Sequence, residues 1–318
     1  MKVLVTDHAF PNVAQEERLV GEAGASLTIA QCKTPEDVIA ASRDADALLV
    51  QFAPITAQVV AGLDKCKVIV RYGIGVDNVD LQAAAAKGIP VCNIPDYCID
   101  EVADHSLSLT LALARQLPQS DARLRSGIWK ITPPRPFPAL RDMTFATAGF
   151  GRIARAVLER ARAFGFKLAA YDPFVDAGVF EQHRIRRLSR DDLFRTAGIL
   201  SLHLPLSAET KHFLGRAQLA EMGEAGIVIN TARGGLIDTV ALAEALSGGR
   251  LHGAGIDVFE VEPLPDDHPL RSAPNVILTS HMAWYSEGSI PILQRKSGEE
   301  VVRALRGEPL HNVVNNVK

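Results

Sequence analysis

Short apolar runs recur along the chain, each breaking into polar residues at its C-terminal side, and stretches of helical period separate them. The first set of runs covers residues 2–6, 27–30, 47–52, 67–72 and 90–93. A second set covers residues 144–148, 168–171, 199–203, 227–230, 255–258 and 276–279. Strands alternating with helices in this way predict an α/β fold whose parallel sheets are covered by helices on both faces. Two sheets fit the two sets better than one. Helical patterns over residues 101–117 and about 286–305 bracket the second set. Residues 129–138, which include ITPPRPFP, are too rich in proline for a helix or an inner strand and read as an extended arm. No internal repeat or low-complexity tract interrupts the pattern.

Composition agrees with two globular domains. A chain of 318 residues with 47% hydrophobic content is long enough for two cores. Its net charge of −3 offers no general attraction to nucleic acid or an anionic membrane, so a small molecule is the expected partner. The start, MKVLVTDHAF, is too short in apolar residues for a signal peptide, and no later run reaches a membrane span of roughly 18 apolar residues; the expected location is the cytoplasm. Cys32, Cys66, Cys92 and Cys98 are scattered, without a C-x-x-C pair or histidines at metal spacing, so buried free thiols are expected and no metal.

The candidate chemistry lies in the second set. In TFATAGFGRIARAVLERARAFGFKLAAYDPF a β-type run ends at Gly149-Phe150-Gly151-Arg152-Ile153, a helical pattern follows to about Phe164, and a second run stops at Asp172. In a dinucleotide fold Gly149 permits the turn, Gly151 lets the backbone approach a pyrophosphate, and the helix N-terminus attracts it. Asp172, 18 residues past Ala154, stands where a carboxylate accepts from an adenosine ribose and repels a 2′-phosphate, which predicts NAD rather than NADP. Three further strand ends carry Arg233 in NTARGGLID, Glu260 and Glu262 in GIDVFEVEP, and His281 in VILTSHMAW. An arginine fork grips a carboxylate, a histidine moves a proton near neutral pH, and a glutamate beside it holds the imidazolium form and its orientation. That set suits reduction of a 2-keto acid. The residues alone do not choose between Glu260 and Glu262, and His281 competes with eight other histidines. His268, in DDHPL, reads as a loop residue. In the first set Gly73-Ile74-Gly75 follows a strand and can turn backbone N–H groups toward an anion, while Asp77 and Asn78 are expected to cap the next helix.

Together RYGIGVDNVD, EVADHSLSLTLALAR, GFGRIA, YDP, LHLPLSAET, NTARGGLID, GAGIDVFEVEP and SHMAWYSE, in this order over nearly the whole chain, resemble the D-specific 2-hydroxyacid dehydrogenases. His281 to Glu287 looks most like the C-terminal-binding-protein branch. The resemblance implies two doubly wound domains: a Rossmann NAD domain over residues 99–283 and a flavodoxin-like substrate domain made of residues 1–98 and 284–318. It selects Glu262, by the following Pro263, as partner of His281, and gives Arg233 the substrate carboxylate. It further implies that Ile74 and Gly75 donate backbone N–H groups to that carboxylate, that His203, Pro205 and Thr231 line the cofactor with the glycine turn, and that Asp257 holds the nicotinamide carboxamide. The arm would help two NAD domains form a homodimer. Trp284 is read equally as a substrate contact and as a core anchor.

Three rival functions are weighed. A nucleotide-sensing corepressor scaffold would use a long disordered tail, and a chain ending at Lys318 is expected to have neither that nor the regulatory domain of many phosphoglycerate dehydrogenases. Formate dehydrogenases carry glutamine where Glu262 stands. A degenerate binding module would be expected to have lost one of Arg233, Glu262 and His281. With Asp96 and Glu287 near the expected pocket and Arg71 its one evident cation, an unphosphorylated acid such as glyoxylate, hydroxypyruvate or a bulkier keto acid is the expected substrate.

Overall fold

The computed structural model describes residues 1–317, which divide into two compact units, residues 1–98 with 285–317 and residues 99–284.

Unit one begins with β1 (Lys2–Val5), α1 (Ala14–Glu22), β2 (Ser26–Ile29), α2 (Pro35–Ser42), β3 (Ala47–Val50), α3 (Ala57–Ala61), β4 (Val68–Arg71), α4 (Leu81–Ala86) and β5 (Val91–Cys92). The five strands form one parallel sheet in the order β2-β1-β3-β4-β5. The chain leaves β1 in one direction and returns to its other side at β3, so strand order reverses there. At that point the buried Asp7 carboxylate accepts from the Thr6 hydroxyl (2.8 Å) and from the backbone N–H groups of Gln51 (3.1 Å) and Phe52 (2.6 Å). Gly73 needs its glycine: its φ is 138°, and an added Cβ would lie 1.6 Å from the Arg71 guanidinium. The expectation that Asp77 and Asn78 cap the next helix is corrected. Asp80 is the cap of α4 and accepts from Ala83 N–H at 2.9 Å, whereas the Asn78 amide donates to Gln51 and Ala53 carbonyls and ties the β4 loop to the β3 loop.

Unit two begins with α5 (Ile99–Ala114) and α6 (Leu117–Arg125). The single helical pattern expected over residues 101–117 breaks at Gln116, whose φ is 53°, ahead of Pro118. The arm, residues 129–138, holds no helix or strand. There follow β6 (Thr144–Ala148), α7 (Arg152–Ala163), β7 (Lys167–Tyr171), α8 (Ala177–Gln182), β8 (Arg186–Arg187), α9 (Arg190–Thr196), β9 (Ile199–Leu202), α10 (Arg216–Met222), β10 (Ile227–Asn230), α11 (Thr239–Ser247), β11 (Gly253–Ile256) and β12 (Val276–Leu278). The final helix, α12 (Ser289–Arg306), belongs to unit one and packs on α1, β3 and β4. The unit-two sheet is parallel throughout, ordered β12-β11-β10-β9-β6-β7-β8. Neighbouring residues of its central strands enter opposite cores: Ile199, Ile227 and Ile229 pack with α5 and α7 residues, and Leu200, Leu202 and Val228 with α11 residues. A sheet buried on both faces explains continuous apolar runs in place of alternation.

Two strands depart from the pattern. β8 was missed because it is two exposed arginines at the sheet edge, where charge discourages pairing with another chain. β11 runs from Gly253 to Ile256, two residues earlier than the 255–258 read from the sequence, and glycines at 253 and 255 give the strand no apolar side chain to mark its start. Added Cβ atoms there would meet Leu113 at 3.0 Å and Leu109 at 2.9 Å, so the glycines let α5 lie close on the sheet. All four cysteines are buried and free, and burial pushes Cys66 and Cys92 up to about 12. Among the described residues no helix is long and apolar enough to cross a membrane.

Unit one also buries Glu16 of α1. Its two carboxylate oxygens accept from the Tyr72 hydroxyl (2.8 Å) and the Gln294 amide (3.2 Å). Burial raises its pKa above the ordinary 4.5, more than these hydrogen bonds lower it. The native state therefore holds a proton that the unfolded chain has released, and this group's contribution to stability falls as pH rises from about 4.5 through the raised value. Glu16→Gln is expected to flatten that part of the dependence of melting temperature on pH, as thermal scans of both proteins across acidic to neutral pH would read.

Candidate active site

At the carboxyl edge of the unit-two sheet, strand order reverses between β6 and β9, the place where open parallel sheets take ligands. The loop after β6 turns at Gly149, which has φ 96°; its N–H donates to Tyr171 O at 2.7 Å, and an added Cβ would stand 2.5 Å from the His203 carbonyl oxygen. Only a glycine lets the two loops approach so closely. Gly151 is the N-cap of α7, and an added Cβ there meets nothing within 4 Å. A glycine facing open space before the N-terminus of a twelve-residue helix fits a pyrophosphate, which backbone N–H groups and the helix dipole attract. Arg152 and Ile153 form the first turn. Asp172, just past β7, accepts from Phe150 N–H (2.9 Å) and Phe174 N–H (3.0 Å), so its carboxylate is fixed beside the glycine turn with lone pairs left for a ribose.

His203 and Pro205 follow β9. The His203 ring shares a 2.8 Å hydrogen bond with Ser201, and burial pushes its pKa down to about 3, so it is neutral at ordinary pH. Thr231, after β10, is buried and bonded to Ser106 of α5 at 2.8 Å.

Three loops assemble the candidate catalytic residues. Arg233 precedes a 3-10 turn, Gly234–Leu236, and its carbonyl accepts from the Asn230 side chain at 2.9 Å. An added Cβ at Gly234 would lie 1.9 Å from the Phe259 carbonyl carbon, so the arginine turn rests directly on the backbone of the glutamate loop. In that loop Glu262 Oε1 accepts from Phe259 N–H (2.9 Å), and Oε2 lies 2.7 Å from His281 Nδ1. Burial alone would raise the Glu262 pKa, but the hydrogen bond and charge of His281, Phe259 N–H and the charge of Arg233 hold it below the usual range. Glu262 is charged at neutral pH, so His281 Nδ1 carries a hydrogen and donates, and Nε2 is left to face a ligand. Both side chains are about one-third exposed, so water screens the pair and reaches the ring.

The two glutamates separate cleanly. Glu260 binds Thr239 and His212, not His281. His268 caps a 3-10 turn and meets the Thr239 hydroxyl, which makes it structural. Asp257 has a function the sequence did not suggest. It is fully buried, and its carboxylate accepts from the Thr279 hydroxyl (2.6 Å) and from Met282 and Ala283 N–H groups (3.0 Å each), while its carbonyl accepts from His281 N–H at 2.7 Å. His105 of α5 adds a hydrogen bond to Thr279 at 3.0 Å. Its signal in the sequence was a lone histidine inside a helical pattern. Trp284 ends the segment, half-buried. In unit one, Ile74 and Gly75 follow β4 in a partly exposed turn, where the Asn93 amide donates to Ile74 O at 2.6 Å. Among the described residues no group of three or more His, Cys, Asp or Glu could hold a metal.

Residues 107–283 match the model of the D-isomer specific 2-hydroxyacid dehydrogenase family, NAD binding domain. The chain is 38% identical over 317 residues, 99% of its own length, to a D-3-phosphoglycerate dehydrogenase of Methanocaldococcus jannaschii, and covers 59% of that protein. It thus spans about half the length of several curated relatives it matches, from 49% to 59%. It is 34% identical over 282 residues to a glyoxylate reductase of Korarchaeum cryptofilum, covering 87% of this chain and 85% of that one. A D-lactate dehydrogenase from Aquifex aeolicus, solved with NAD and lactic acid, superposes with a TM-score of 0.88 at 27% identity, over 96% of each chain. The fold and the matched segment define an NAD-binding α/β protein. This chain belongs to the D-isomer specific 2-hydroxyacid dehydrogenase family.

Gly149→Ala tests the glycine turn. Strain at φ 96° and the clash with His203 are expected to weaken NADH binding by roughly tenfold or more, about 1.4 kcal/mol, in a fluorescence titration.

Proposed function

We propose that the protein is an NAD-dependent oxidoreductase interconverting a small 2-keto acid and its D-2-hydroxy acid. The 2.7 Å hydrogen bond between His281 Nδ1 and Glu262 Oε2, on a loop that packs against the Arg233 turn, carries this reading. Arg233 grips the substrate carboxylate with two parallel N–H donors and orients the keto carbon. Ile74 and Gly75 are assigned backbone N–H donation to a carboxylate, which the partly exposed turn after β4 suits. NAD, when bound, supplies or takes the hydride. His281 donates from Nε2 to the carbonyl oxygen as charge develops there, and its Nδ1–H stays on Glu262, which stabilises the imidazolium before transfer. In oxidation the same nitrogen removes the hydroxyl proton. Gly149, Gly151, Arg152 and Ile153 bind the pyrophosphate, Asp172 the ribose, and His203, Pro205 and Thr231 line the site; a neutral His203 there adds no charge. Asp257 both receives the carboxamide and holds the His281 turn. Trp284 is assigned to the substrate side.

Relatives are named for a phosphorylated acid and for glyoxylate. An unphosphorylated substrate is favoured, because the end of β3 exposes the apolar Phe52 and Lys296 is already paired with Asp96 at 2.7 Å. Residues 1–98 and 284–318 are proposed as the substrate domain, and the cytoplasm as the location. Loss of NADH absorbance with a panel of 2-keto acids, phosphorylated and not, tests the whole reading. Turnover with NADH, poor turnover with NADPH, and a fall of roughly 10²–10⁴-fold in kcat for His281→Ala are the expected results. Tight NADH binding with no turnover would favour a sensor or corepressor-like scaffold instead.

A homodimer through the NAD domain is proposed from the arm. Trp129 and Ile131 are 80% and 93% exposed, and α6 before them buries none of its residues. Trp129→Asp is expected to shift the mass in light scattering from dimer toward monomer.

A further inference from the structure

Glu260 stands two residues before Glu262 and has no place in the chemistry above. Its side chain is nonetheless tied down more firmly than its exposure on a loop requires. Oε2 accepts from the Thr239 hydroxyl (2.6 Å) and from Thr239 N–H (3.2 Å), and Oε1 meets His212 Nε2 at 2.6 Å. Burial would raise its pKa, yet the Thr239 and His212 hydrogen bonds hold it below the usual carboxylate range, so the anchor is a charged one. Thr239 opens α11, where Asp238 already caps the helix by accepting from Ala241 N–H at 2.9 Å. His268 completes the set: its Nδ1 accepts from Leu270 N–H (3.2 Å), so Nε2 carries the hydrogen and donates to the Thr239 oxygen (3.1 Å), which frees the Thr239 hydrogen for Glu260.

The loop is thereby held on two sides. Its backbone at Phe259 and Glu260 lies against Gly234, and the Glu260 side chain fastens it to α11. Within the loop, Phe259 N–H fixes Glu262 Oε1, so the glutamate moves with the loop as one piece. Where the loop sits then decides whether Oε2 meets His281.

We infer that Glu260 is a positioning residue, which presents Glu262 to His281 by anchoring the 259–262 loop on Thr239 and His212. The inference rests on the acid–base reading of His281 and Glu262. It makes Glu260 act through Glu262 and not on substrate or cofactor.

A double-mutant cycle on kcat, with NADH and the best keto acid of the panel, tests it. Glu260→Ala is expected to lower kcat about tenfold while KM for NADH stays within about twofold; in a Glu262→Gln background the same change should cost less than about twofold. Glu260→Gln, which keeps an acceptor for Thr239, should recover most of the loss. Fully multiplicative losses in the cycle would overturn the inference. Thr239→Val removes the same anchor from the other side, should Glu260→Ala fold poorly, and is expected to reproduce its effect. Amide hydrogen exchange of residues 258–262 gives a readout that needs no turnover. Faster exchange there in Glu260→Ala, with α7 and β6 unchanged, supports the anchor, and unchanged exchange overturns it. An inactive wild type would sink the dehydrogenase reading while exchange still decides the anchor.

Discussion

A buried carboxylate carries the active edge of this protein. Asp257 sits at the end of β11 with no exposure to solvent and takes hydrogen bonds from the Thr279 hydroxyl and the backbone of Met282 and Ala283. Between those residues His281 adopts a φ of 54°, a left-handed conformation that costs a residue with a Cβ about 1–2 kcal/mol. It persists because its own N–H is bound by the Asp257 carbonyl and the next two N–H groups by the Asp257 side chain. With the backbone so constrained the imidazole meets Glu262; a relaxed, extended turn would carry it elsewhere. His105 extends the brace to α5: the Thr279 hydrogen goes to Asp257, so His105 Nε2 is the donor to the Thr279 oxygen.

Electrostatics divides similar side chains between different tasks. His203, pushed down to about 3 by burial, stays neutral beside the glycine turn, whereas His281 keeps access to water and a carboxylate partner. Glu260 and Glu262 are both held charged, one by a helix terminus and a histidine on the outside of the loop, the other by the histidine at its tip. Asp172 spends part of its acceptor capacity on Phe150 and Phe174 N–H, which stiffens the turn it serves. The carboxylates of Asp172, Glu260 and Glu262 each accept from a backbone N–H before any ligand arrives, and such prior fixing makes polar groups effective in binding and catalysis.

The fold class was legible because a parallel sheet buried on both faces writes itself as continuous apolar runs, and the runs ending at Ala148, Tyr171, Leu202, Asn230 and Leu278 lie within a residue of where they were read. The glycine turn with its terminal Asp172 was legible for a related reason: positive φ and close backbone approach leave few residue choices, so Gly149 declares its role. β8 was not, and β11 was read with its bounds two residues late. An arginine pair at a sheet edge resembles any polar loop, and glycines in a strand resemble a turn until the helix lying on them is seen.

The sequence by itself determined the chemistry available: an arginine, a histidine, two glutamates and an aspartate at strand ends, and a dinucleotide-type turn. Which glutamate faces the histidine was decided only by tertiary structure, since Glu260 and Glu262 lie two residues apart on an irregular loop with no period to separate them. The choice is made by contacts distant in sequence, Thr239 and His212 for the one and His281 for the other. The same holds for the loop-holding contacts of Asp257 and of Asn78, the second of which the chain alone suggests as a helix cap. Hydrogen bonds to residues 22 to 27 positions away give them the work of holding loops in place, and no local pattern encodes a partner at that distance.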